Sequence, residues 1–378
     1  VIVLGARRHR SSARVIWGVD FRTVTDGALS SLPGGLSFAR ASSATVTTGP
    51  STVITSGITS NVARVGKRGS DSTTRGLLFE GARTNLLAPN GRAVNSLASA
   101  GSGATITAND IAGPDGSVSA DRVQLTSGGY SRYQMLSFTT GAKYTVSIWF
   151  KGSGPFQTNT FGVAAHANVG TLSSSWTCVS YTFTQDSTSG GFIPLDTRNN
   201  GVGSGWPQAI DAWVDLMQIE AGAYETSYFN GARAGERLYL ASRAPLLRGG
   251  RLRLRVRSLM RFASADIGAA RRLWTIDANN YVEVDTSRNV VAVVGGSSVT
   301  LPTAIPSWSV SDVLDLRVDV GNGAPRGSAS INDGAATSLG TGAGSHSAIA
   351  ASGGIDLLCS STSSQWEGWI QVMQALAA

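Results

Sequence analysis

The sequence predicts an all-β protein: two consecutive antiparallel β-sandwiches, preceded by an extended N-terminal arm and an irregular collar. Three observations predict it. The 378 residues include 46 glycines and only 15% charged residues, with Ser and Thr abundant and Glu and Lys scarce. That is a composition of short strands and many turns, not of helical bundles. Apolar and polar residues alternate with period two in a series of short runs, and Gly, Ser and Asn clusters separate those runs at sandwich spacing. The chain is also longer than the ~250–300 residues at which a single core stops growing.

Residues 1–20 read as the arm. Arg7, Arg8, Arg10 and Arg14 crowd it, and Trp17 follows. Two readings stand side by side: a charged tail that becomes one strand, or an arm whose arginines meet an acidic groove on another subunit while Trp17 fills a pocket. The apolar Val1–Leu4 precedes the arginines, the reverse of a secretory signal, so no such signal is expected. Residues 21–95 are polar, Gly-rich and without a sustained helical period, and read as loops or irregular strands of a collar.

Residues 96–229 read as the first sandwich. In Lys143–Phe150 alternation puts Tyr144, Val146, Ile148 and Phe150 on one face. The runs Arg122–Leu125, Trp176–Phe183 and Trp213–Ile219 alternate in the same way. Residues 230–247 read as a linker, and residues 248–378 as a second sandwich. Its first strand places Arg251, Arg253, Arg255 and Arg257 on one face and Leu252, Leu254 and Val256 on the other. The simple reading is a solvated face balanced by Asp315 and Asp319 on a neighbouring strand. The sharper one is an acidic ligand or partner subunit.

The net charge of +7 favours an acidic partner. The arginines form no recognisable nucleic-acid reading element, so nucleic acid is not the expected one. No apolar stretch is long enough to span a membrane. Cys178 and Cys359 fall in different predicted domains and are expected as buried, unlinked thiols. His9, His166 and His346 lack partners at ligand spacing, and no loop has calcium-ligand density, so no metal is expected. No cofactor is expected either, in the absence of a phosphate-binding loop, a paired-His motif or a nucleophile elbow. The acid sets Asp211 with Asp215, and Asp277 with Glu283 and Asp285, do not face each other across a cleft by any sequence criterion, so no enzyme is expected. Trp206, Trp308 and Trp366 sit beside Gly, Ser or Pro. They are candidate loop indoles for stacking on a sugar, against the alternative of rim residues closing a core.

Two phrases carry a resemblance. Leu36-Ser-Phe-Ala-Arg-Ala-Ser-Ser-Ala-Thr45 followed by Gly76-Leu-Leu-Phe-Glu-Gly-Ala-Arg-Thr-Asn-Leu-Leu87 resembles a paired signature of tailed-bacteriophage fibre and head-spike proteins. In that family the second phrase leads into a jelly roll similar to carbohydrate-binding modules, which the resemblance implies for residues 96–229, while residues 248–378 resemble a concanavalin-like lectin sandwich. Tyr144–Gly152, the Trp176 strand and Gln218–Gly222 through Thr226–Tyr228 match its habit, while Arg233-Ala-Gly-Glu-Arg237 departs from the usual exit of the module. The resemblance implies a virion structural protein at the particle surface. It would be joined to other virion proteins, be self-associating as a trimer, and touch host glycans. The alternatives are a purely architectural virion component and a polysaccharide-degrading tailspike. The signature residues Phe38, Arg40, Glu80, Arg83, Thr84 and Asn85 are expected to be structural, with Glu80 and Arg83 paired across the collar.

Overall fold

The computed structural model describes residues 15–24, 27–42, 44–48, 53–58, 60–68, 71–161, 166–198, 208–359 and 366–376. The described residues are almost entirely antiparallel β-strands, with short 3-10 turns as the helical elements among them. The chain divides into two compact units. Unit 1 comprises residues 1–42, 58–82 and 234–378; unit 2 comprises residues 43–57 and 83–233.

Unit 1 holds a ten-stranded and a seven-stranded sheet. The arginine strand, Arg251–Met260, lies inside the larger sheet between Val313–Val320 and Gly368–Leu376. Its alternation is as expected: Leu252, Leu254 and Val256 are buried while the four arginines are half-buried. The alternating runs Arg272–Ile276, Tyr281–Asp285, Asn289–Val294 and Val313–Val320 fall on the strands Arg271–Asp277, Asn280–Val284, Val290–Val294 and Val313–Val320.

The linear domain order requires correction. The region expected as an irregular collar supplies strands to unit 1. Asp71–Phe79 pairs with Gly368–Leu376, and Ser37–Ala39 pairs with Arg237–Leu240. The end of the expected arm is a strand as well, Val15–Asp20, also paired with Gly368–Leu376. The close approach explains a glycine. A Cβ on Gly76 would lie 2.7 Å from the Ile370 carbonyl oxygen, so the neighbouring backbones meet where only hydrogen fits.

Unit 2 has the two sheets of a jelly roll. The five-stranded sheet runs Thr177–Thr184, Lys143–Gly152, Ile210–Ala221, Val118–Tyr130 and Ser102–Ala112. The four-stranded sheet runs Gln134–Ser137, Ser189–Ile193, Gly154–Phe161 and His166–Leu172. Tyr144, Val146, Ile148 and Phe150 enter one core with Val214, Met217 and Ile219 from the neighbouring strand and Phe156 and Phe192 from the other sheet. Alternation fails at Leu216, which has φ +48, and the pairing shifts there against Ser147 and Trp149. This bulge turns Leu216 out of that core into a small cluster with Trp149 and Tyr228.

Candidate functional site

The four-stranded sheet of unit 2 positions the best-formed polar site. Phe156 and Phe192 point into the core. Period two therefore places Gln157, Asn159 and Phe161 on the opposite face. Register extends that face: Met135 and Phe161 are both partners of Gly191, and Asn159 is the partner of Ile193. Gly191 makes the floor. A Cβ there would lie 2.1 Å from the Phe161 ring, so the ring rests on bare backbone.

Three aromatic rings run in sequence beside this floor. Phe161 and Tyr133 meet edge to face at 5.6 Å between centroids, and Tyr133 and Tyr130 lie 6.2 Å apart. All three are half-buried, so each keeps part of its ring accessible. The Arg198 guanidinium stacks over Tyr130 at 4.3 Å from its centroid. Asp196 holds that guanidinium with two parallel bonds, 3.0 Å from Nε and 2.7 Å from Nη2, and keeps it firmly protonated. Asp196 also accepts from Asn159 Nδ2 at 3.3 Å, and its backbone N–H donates to the Gln157 carbonyl at 2.9 Å.

Next to these rings lie polar atoms whose hydrogen bonding is incomplete. Gln157 is 0% exposed and Asn159 2%. Neither amide atom of the Gln157 side chain, nor Asn159 Oδ1, has a hydrogen-bond partner among the described residues. Buried polar groups are normally paired, because an unmade bond costs about 1–3 kcal/mol. Ring faces, an amide donor and acceptor, and an Arg–Asp pair together suit a polyhydroxylated ligand: rings cover its C–H surface and the polar groups answer its hydroxyls.

Sequence reading placed the site elsewhere. Trp308 is 4% exposed and its Nε1–H donates to the Phe262 carbonyl at 2.9 Å; Trp366 is 1% exposed. Both are core residues of unit 1 with no face to offer a sugar, which corrects the expectation of loop indoles. Trp206, like Arg7, Arg8 and Arg10, lies outside the described residues. Trp17 is held within its own chain, its Nε1–H donating to the Gly34 carbonyl at 2.9 Å, and so does not sit in a projecting arm. Arg251, Arg253, Arg255 and Arg257 meet Asp315, Asp319 and Asp333 across their sheet, the balance expected of an outer face. The residues of the new site escaped notice because they come from separate segments. The one local signal was the cluster Tyr130-Ser-Arg-Tyr133, which breaks an otherwise Ser- and Gly-rich stretch.

The signature residues Arg40, Glu80, Arg83 and Asn85 are engaged in ion pairs and hydrogen bonds within the chain. Arg40, 1% exposed, pairs with Glu236 at 2.9 Å and lies over the Phe38 ring. Glu236 also pairs with the buried Arg64, which reaches Glu80 at 2.8 Å, and Glu80 pairs with Arg261. Arg83 serves unit 2, donating to Tyr224 Oη at 2.8 Å and lying 3.6 Å from Glu220. Glu80 thus answers Arg64 and Arg261, and Arg83 answers Tyr224 and Glu220. Asn85 uses its whole amide. Nδ2 donates to the Met217 and Phe229 carbonyls, and Oδ1 accepts from Leu87 and Ile219.

The suspected acids have structural roles. Asp211 is exposed and paired with Arg122 at 2.7 Å. Asp215 is buried, accepting from Ser119 Oγ and the Leu216 N–H. Asp277 and Asp285 accept from backbone N–H groups of their own turns, and Glu283 faces Arg272 at 3.2 Å. Cys359 is buried, and burial pushes its thiol up to about 12. Cys178 is exposed, contrary to expectation, because it stands on the outward face of the strand that ends the five-stranded sheet. Among the described residues no cluster of His, Cys, Asp and Glu is arranged to hold a metal ion.

No protein-family model matches the chain, and no curated protein matches it. Solved structures that match include a CBM4 carbohydrate-binding module, 14% identical, covering 32% of this chain and 79% of that one with a TM-score of 0.23. Another comprises the CBM22-1 and GH10 modules of endo-1,4-β-D-xylanase 10B from Clostridium thermocellum, complexed with xylohexaose. It is 14% identical and covers 40% of this chain and 30% of that one, with a TM-score of 0.24.

Proposed function

We propose that unit 2 is a saccharide-binding module. Its ligand lies along the Tyr130–Tyr133–Phe161 face and bonds to Gln157 and Asn159. The observation that carries this reading is the set of buried, unpartnered amide atoms beside a row of accessible rings. Binding would supply the missing partners, so the bonds gained would not be offset by bonds lost within the protein. The remainder of the proposal rests on the paired signature near residues 36–45 and 76–87: a component of a tailed-bacteriophage particle that displays this module toward host glycans. Many copies would make a weak single site sufficient.

Titration calorimetry of the purified protein against a panel of neutral oligosaccharides tests the module. The expected result is binding of at least one, reduced about tenfold or more by Tyr133→Ala or Gln157→Ala at unchanged circular dichroism. Equal affinity in both variants would place the ligand elsewhere. A panel that stays blank would favour a purely architectural role, for which the fully engaged Asn85 and the buried charge cluster of unit 1 are sufficient reason to retain the signature.

A further inference from the structure

On the polar face of the ten-stranded sheet the described guanidinium groups outnumber the carboxylates that answer them. Among the described residues, Arg251, Arg253, Arg255, Arg257, Arg317 and Arg326 meet the carboxylates of Asp315, Asp319 and Asp333. Asp319 alone answers three guanidinium groups: Arg251 at 3.0 Å, Arg253 at 2.8 Å and Arg326 at 3.0 Å. Arg317 lies 3.7 Å from Asp315, a carboxylate that Arg255 already engages with both oxygens. Moreover, Arg255 and Arg317 are direct cross-strand partners. Like charges in that position oppose each other and destabilise a sheet. A face selected for stability alone would carry opposite signs there.

The excess charge borders a cavity. It measures about 330 Å³, and Arg253, Arg317, Arg326, Ser328, Ser338 and Thr341 contribute to its lining. The size fits a small ligand. Arg317 and Arg326 are 41% and 55% exposed, so their planar donor forks reach solvent at its mouth. Guanidinium groups suit a carboxylate or sulfate, and three hydroxyls beside them suit a polyol. An acidic peptide would instead need backbone pairing or apolar side-chain pockets, and Arg253, Asp319 and Arg326 lie in paired strands of the sheet interior.

We propose that this cavity is a second ligand site, on unit 1, for an anionic sugar residue such as a uronate, whose acid group lies between Arg317 and Arg326 and whose hydroxyls meet Ser328, Ser338 and Thr341. The test is calorimetry with a galacturonate tetramer, alongside a neutral tetramer, inorganic sulfate and a poly-glutamate peptide. It is run at low and at high salt on the wild type, Arg317→Ser and Arg326→Gln. The expected result is binding of the galacturonate tetramer that weakens with salt and falls about tenfold in each variant. Removing Arg317 takes away a like-charge neighbour, so that variant melts no lower than the wild type. Binding of neutral sugar, which belongs to unit 2, is unchanged in both variants, so the two sites fail or succeed separately. Unchanged galacturonate affinity in both variants overturns the proposal. So does inorganic sulfate binding as tightly as the tetramer, or poly-glutamate binding more tightly than it.

Discussion

Asn85 shows how far one side chain can organise a unit. Its four hydrogen bonds join the strand Ile210–Ala221, the turn at Leu87 and the segment at Phe229. Asn85→Ala would leave two carbonyls and two N–H groups buried without partners, and is expected to cost about 2–4 kcal/mol by urea unfolding of unit 2. Glu236 has the same standing in unit 1, where it faces the buried Arg40 and Arg64. Glu236→Gln removes the carboxylate that Arg40 and Arg64 share and leaves Glu80 to answer Arg64, with an expected cost of about 3–5 kcal/mol, read from the denaturant midpoint. Asp319 adds a pH dependence. Burial alone would raise its carboxyl, but bonds from Arg253, Arg251 and Arg326 outweigh burial and hold it below the ordinary 3.8. Its folded value is therefore the lower one. The stability it contributes is complete above about pH 3.8 and is lost as pH falls through the folded value. Melting curves across this acid range should flatten in Asp319→Asn. Asp215 and Glu220 act in the opposite sense: burial dominates, both carboxyls are raised, and stability declines as pH rises through their folded values.

At the scale of elements, period-two alternation identified strands well and faces less well. Arg251–Met260 is buried on alternate residues, as its sequence reads. Lys143–Gly152 is buried on both faces. Its Thr145 and Ser147 look like outer positions in sequence, yet they are covered in the fold. In Ile210–Ala221 the bulge at Leu216 redirects the following residues, and no local pattern announces it, since Leu at positive φ is held there by packing. Gly76 makes the element-level prediction. Gly76→Val would drive a side chain into the backbone at Ile370 and separate Asp71–Phe79 from Gly368–Leu376. A loss of about 1–3 kcal/mol is expected from thermal or urea unfolding of unit 1, whereas unit 2 should keep its transition.

For the whole molecule, the two units are interleaved along the chain: each is assembled from separated segments. The boundary expected at residue 248 would leave Val15–Asp20 and Asp71–Phe79 out of the second sandwich, exposing a strand that both of them pair with. A fragment of residues 248–378 should accordingly show no cooperative urea transition by circular dichroism. A sharp transition would mean that the earlier strands are dispensable.

The sequence by itself determined the all-β class, most strand positions and the alternating arginine face with its aspartate partners. These are local properties, carried by composition, period and turn residues within a few positions of each other. Only the tertiary structure decided that Trp308 and Trp366 are interior, that Glu236 closes the charge cluster, and that Tyr130, Tyr133, Gln157, Asn159, Phe161 and Arg198 share one surface. The physical reason is register. A side chain's exposure and neighbours depend on which distant strand lies beside it, and pairings such as Asn159 with Ile193, or Phe161 with Gly191, span separations that no local pattern encodes.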